Sequence, residues 1–140
     1  MRFFNGTQVA SANRRGYPRL FIIINQEELA MADLNRAIGS IPGAFAAGEF
    51  SPTGELINYV GDIPLQAAKM AAQMCAANML MAKMEASGWT AYTGKDGFEP
   101  AHGFAVAGPE NSALIVGNVG VFVKNKDADF DKAFAVLSSL

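Results

Sequence analysis

"AAKMAAQMCAANMLMAKMEA", residues 67–86, holds five of the chain's seven methionines and its only cysteine, set among alanines. A surface helix keeps a broad polar stripe toward water, and this stretch carries too little charge to supply one. Either it is buried on more than one side, or its soft side chains line a site. At 3.6 residues per turn, the apolar residues resolve into two seams with spacings of three and four. One runs Ala67, Met70, Met74, Ala77, Met81 and Met84; the other runs Ala68, Ala72, Cys75, Met79, Ala82 and Ala86. Their centres lie roughly 150° apart around the axis, so one partner surface cannot cover both.

The flanks set this helix in a domain. Asp62 is a candidate N-cap, Pro64 suits the first turn, and Gly88 is the expected stop, giving a helix over 64–87. Upstream, "ADLNRAIGSIPG" places Leu34, Ala37, Ile38 and Ile41 at helical spacing before the stops Gly39 and Pro42-Gly43. "AFAAGEFSPTGELINYVGD" reads as a hairpin around "SPTG", with Pro52 presetting φ and Gly54 at a glycine-favouring turn position. Downstream come "WTAYT", the polar loop "GKDGFEPAH", "GFAVAG", the turn "PEN", "SALIVGN" and "VGVFVKN", extended runs rich in aromatic and β-branched residues. "VGVFV" either continues the preceding strand past a bulge at Gly117-Asn118 or forms another. In "DADFDKAFAVLSSL", Phe130, Ala133, Phe134 and Leu137 share one helical face, behind acids that suit the helix dipole. The order α-β-β-α-β-β-β-α implies an α+β domain with one largely antiparallel sheet.

Composition narrows the function classes. The chain has 140 residues, 51% of them hydrophobic, enough for one domain with a proper core. Its net charge of −2 provides no basic field for nucleic acid. One cysteine, Cys75, excludes an intramolecular disulfide and fits a reducing compartment. With His102 as the lone histidine, soft ligands are too few for structural zinc. A methionine cofactor cluster is disfavoured because soft-metal sites want Cys or His beside Met, and Cys75 sits on the other seam. The conspicuous apolar run "LFIII" at 20–24 is too short to span a bilayer. A soluble, cytoplasmic protein is expected, with no cofactor, metal, nucleic-acid or membrane partner.

Residues 1–30 read differently. Four arginines stand there against two glutamates, whereas 31–140 carry seven basic and eleven acidic residues. The segment has neither a clear period nor a secretory h-region, although its Arg-rich start is compatible with a transit peptide. "NQEELAM" at 25–31 can be encoded with a purine-rich AGGAGG a short distance before Met31, like a translated bacterial ribosome-binding site. The reading favoured is an atypical extension over 1–30, upstream sequence before a native start at Met31. The other is a genuine arm whose "LFIII" adds an edge strand.

Over residues 31–140, the element order together with "GAFAAGEFSPTGELINYVGDI", the Met/Ala helix, "GFAVAGPENSALIVGNVGVFV" and "ADFDKAF" resembles the roadblock family, related to dynein light chains, in a small prokaryotic branch. The resemblance implies a roadblock/profilin-like five-stranded sheet with a long central helix on one face and the terminal helices on the other. It also implies a non-catalytic homodimer in which the central helix and the strand after it meet their counterparts. Relatives scaffold complexes or regulate small Ras-like GTPases, and close ones are sometimes encoded near sulfur-oxidation genes.

Within that frame, small residues suit close packing on the sheet and flexible thioethers suit a second subunit, although the seams can be assigned the other way round or both be core. The expected dimer interface is Met70, Met74, Met81 and Met84, with Trp89 and Tyr92, placed at the opening of the next strand, beside it. Core packing is the competing role for those two aromatics. His102 is expected in a solvated loop without a catalytic partner. Glu49, alternating with apolar neighbours in the first strand, is expected to be a solvent-side or interface carboxylate, and it lacks the second acid that acid–base chemistry needs. "GNVG" at 117–120 lacks the phosphate-loop lysine and marks a bulge or bend. The Phe98-Glu99-Pro100 loop is a candidate recognition surface. The expected function is a homodimeric scaffold or regulator binding another protein, a small GTPase or a redox or sulfur-pathway component. The alternative is a small-molecule sensor with a pocket between sheet and helix.

Overall fold

The carboxylate of Asp33 accepts the Arg36 N–H at 3.0 Å and so caps α1, Leu34–Ser40. Leu34, Ala37 and the following Ile41 are buried, Gly39 is absorbed within the helix, and the extended backbone of Ile41 ends it. The computed structural model describes residues 32–140, so the readings of residues 1–30 lie outside the described residues.

Strands β1 (Ala44–Phe50) and β2 (Leu56–Gly61) form the expected hairpin. Its turn is closed by the Gly54 N–H on Ser51 O at 2.9 Å and the Ser51 N–H on Glu55 O at 2.8 Å. Gly61 has φ +104°, and a Cβ there would collide with the Phe45 carbonyl oxygen, so the position takes only glycine. The long helix α2, Leu65–Thr93, follows. At 1.5 Å per residue it is about 43 Å long. Strands β3 (Gly103–Ala107), β4 (Asn111–Val116) and β5 (Val119–Lys124) lead to α3, Phe130–Ser138, whose N-cap Asp129 accepts from the Lys132 N–H at 3.0 Å. "VGVFV" is thus a separate strand, reached by the two-residue turn Gly117-Asn118.

The sheet order is β2-β1-β5-β4-β3, antiparallel throughout. Gly48 stands opposite Gly120 and Gly120 opposite Ile115, and these share a face with Phe50. Phe50 and Ile115 pack there with Ala72, Ala76 and Met79 of α2. On the other face Ala47, Val121 and Leu114 are buried, where α1 lies along β1 and α3 along β4. Arg36 of α1 donates to Ser139 Oγ at 2.9 Å, tying together the ends of those two helices. This is the expected layering. Asn125, just after β5, accepts from Ser112 Oγ at 2.7 Å and donates to Gly108 O at 2.8 Å, pinning the β3–β4 turn.

Two local expectations are corrected. "WTAYT" is helical, because α2 runs through Gly88 and stops at Gly94, whose φ of +67° and N–H bond to Thr90 O make the cap. The Thr93 hydroxyl reinforces that end by donating to Trp89 O at 2.7 Å. Asp62 caps nothing: its N–H donates to Phe45 O at 2.9 Å, extending the hairpin ladder, and Pro64 is the N-cap without a side-chain bond. On α3, Ala133 and Leu137 are buried, but Phe130 and Phe134 remain 46% and 47% exposed.

Candidate functional site

The two seams of α2 have different surroundings. Ala68, Ala72, Ala76, Met79 and Ala86 are buried, and Cys75 and Ala82 are half-buried, so the small-residue seam lies on the sheet. Alanines bring the helix axis close to the strands, and Gly48 and Gly120 lie in the sheet beneath it. A space of about 40 Å³ remains there, lined almost wholly by apolar atoms. It lies far below the several hundred Å³ of a small-molecule pocket. Cys75 is on its wall, and burial pushes the thiol up to about 11, which makes it a weak nucleophile.

The methionine seam points away. Met70, Met74, Met81 and Met84 are 59%, 54%, 58% and 74% exposed. At about 100° per residue they occupy roughly 80° of arc, and Tyr92, 86% exposed, falls inside it. Trp89 does not. It lies roughly 100° from the seam's centre and stacks on Phe98 at 5.9 Å. The aromatics therefore stand on the final turns of α2, one on the methionine face and one on its flank. Leu80, also exposed, sits on the opposite flank; the heptad-like reading passed over it because it belongs to neither seam. Single exposed apolar residues are ordinary, but here several stand together on one helix face.

Strand β3 is the sheet edge nearest in sequence to the end of α2, and Ala105, Val106 and Ala107 are exposed. Its outer backbone groups have no strand partner among the described residues. The loop Phe98-Glu99-Pro100 is exposed throughout.

The remaining singled-out residues come together at one end of the sheet. His102 is exposed, and its carbonyl accepts the Gly117 N–H at 2.8 Å. Glu49 is not on the solvent side but buried, 5% exposed, and accepts from Asn118 Nδ2 at 3.2 Å. Gly117-Asn118 is a turn, as the missing phosphate-loop lysine indicated. Among the described residues no group of three or more His, Cys, Asp and Glu side chains is placed to hold a metal, and no helix is long and apolar enough to cross a membrane.

The comparisons with known proteins bear on this architecture. Residues 34–139 match the profile of a family described as "Uncharacterized conserved protein (DUF2173)". The chain belongs to the DUF2173 family. No curated protein matches it. Among solved structures, this DUF2173 chain is similar to the Roadblock/LC7 domain from Streptomyces avermitilis, with a TM-score of 0.59 and 11% identity over 76% of this chain and 89% of that one. It is also similar to Myxococcus xanthus MglB, at TM-score 0.52 and 14% identity over 77% and 90% of the two chains. The gliding protein MglB from Thermus thermophilus gives 0.56 and 11% over 76% and 78%. At such identities the likeness is one of fold, and the DUF2173 domain has the roadblock fold.

Proposed function

We propose that the protein is a non-catalytic, homodimeric scaffold of roadblock type that binds a second protein. The observation that carries the reading is the methionine face of α2: four exposed thioethers and Tyr92 lie along one side of a helix whose opposite side is already packed on the sheet. A second copy of α2 across that face would cover them, with Met70, Met74, Met81, Met84 and Tyr92 at the contact and Trp89 at its margin. The open edge of β3 supports the same pairing, since two such edges can join their sheets. Thioethers adapt to irregular partners, which suits a surface built for assembly. The second protein is of the class that the roadblock resemblance implies, a small Ras-like GTPase or a redox-pathway component.

The test is capture from native extract on immobilised wild-type chain and on Met74→Glu, with crosslinking. A protein held by the wild type and lost with the variant supports the scaffold. Recovery of only the protein itself overturns it.

A further inference from the structure

A groove of about 500 Å³ opens where one flank of α2 passes the β4–β5 turn and the segment leading into β3. That volume lies within the range of small-molecule sites, in contrast to the 40 Å³ space between helix and sheet. Its floor is apolar, from Phe50, Met79 and Leu80, and its rim carries Lys83, His102 and Asn118. These come from three separate parts of the fold. No Asp or Glu lines the groove, so a chain of net charge −2 presents here a cation, an imidazole and a carboxamide.

The fold holds two of the three rim residues, His102 and Asn118, in place. The Gly117 N–H holds the His102 carbonyl at 2.8 Å, and the Phe50 N–H holds the Asn118 carbonyl at 2.9 Å. The buried Glu49 carboxylate accepts from Asn118 Nδ2 at 3.2 Å, which orients the carboxamide. An apolar floor with a few polar groups around it is the pattern of a site for an amphipathic molecule. The ammonium of Lys83 determines the sign of its head group.

We infer that this groove binds a small organic anion with an apolar body, whose simplest form is a medium-chain carboxylate. The apolar body lies along Met79 and Leu80, and the head group meets Lys83 and is within the reach of His102 and Asn118. The site flanks the methionine seam, so it does not depend on pairing through that face.

The experiment uses octanoate, kept below its micelle concentration, with the full chain followed by amide chemical shifts. Octanamide and octylammonium are the neutral and cationic controls. Octanoate should perturb Lys83, His102, Gly117 and Asn118 and bind more tightly than either control. Lys83→Gln, at an exposed position, should weaken octanoate by about two- to fivefold, as expected for a solvated ion pair, and leave octanamide unaffected. Met74→Glu should bind octanoate like the wild type, which separates this site from the proposed dimer. Equal affinity for octanoate and octylammonium, shifts centred on the methionine face, or no binding at millimolar octanoate would each overturn the assignment.

Discussion

Replacing Met74 by glutamate tests the assignment of the two faces of α2. Met74 is 54% exposed, so a second copy has about half of its side chain left to cover. Full burial of a methionine is worth about 1.5–3 kcal/mol. Half is about 1 kcal/mol, and in a two-fold dimer the loss counts twice, about 2 kcal/mol. The two carboxylates would also enter a thioether-lined contact, each with a desolvation penalty of several kcal/mol in the absence of a cation. A total of at least about 5 kcal/mol weakens the dimer by more than about a thousandfold. The fold itself should survive, because the core face of α2 is formed by Ala68, Ala72, Ala76, Met79 and Ala86. Light scattering coupled to size exclusion, over a hundredfold range of concentration, should show a dimer for the wild type and a monomer for the variant, with unchanged far-ultraviolet dichroism. Ile57→Glu, equally exposed at 47% but on β2, should remain dimeric. A Met74→Glu protein that keeps the dimer mass throughout that range would refute the interface.

Three further outcomes follow from α2. A Cβ at Gly88 meets nothing within 4 Å, so Gly88→Ala should stabilise the helix by about 1 kcal/mol and raise Tm by about 4 °C in a domain of this size; a lowered Tm would contradict an open helical Gly88. The Cys75 thiol is pushed up from 9.0 to about 11 by burial, so at pH 8 its thiolate fraction is about a hundredfold below that of the unfolded chain, and labelling by a disulfide reagent should be correspondingly slow until urea is added. Below pH 9 both states keep the proton and stability is insensitive to this group. Between 9 and 11 the unfolded chain ionises first, so stability falls across that window relative to Cys75→Ala. A native labelling rate equal to that in urea would refute the burial.

Much of the fold was legible because its signals are local. "SPTG" marks a hairpin turn by proline and glycine placement, and the acids around Phe130 suit the start of a helix. The misreading at "WTAYT" arose from two signals that tertiary structure overrides. Trp, Thr and Tyr favour strands, and Gly88 resembles a stop. One glycine is a minor cost in a helix of 29 residues, and the true cap at Gly94 is supported by the Thr93 hydroxyl and by Trp89 stacked on Phe98. Asp62 misled because the helix starts later than it requires, with Pro64 as N-cap and Leu65 as the first helical residue.

The division of α2 into two apolar seams was readable from periodicity, but not which seam meets the sheet. That depends on the sheet face itself, where Phe50 and Ile115 pack with Ala72, Ala76 and Met79. The groove had no sequence signature, since Phe50, Lys83, His102 and Asn118 are brought together only by the strand order.

The turn at Gly117-Asn118 has a mechanical consequence. It receives the Phe50 N–H from the end of β1 and gives its own N–H to His102 just before β3, so two residues hold the inner and outer strands of the sheet at once. Sliding β1 would break the first bond and sliding β3 the second. The turn is a shared end-stop, and it sets the zero of register for both halves of the sheet in a single place.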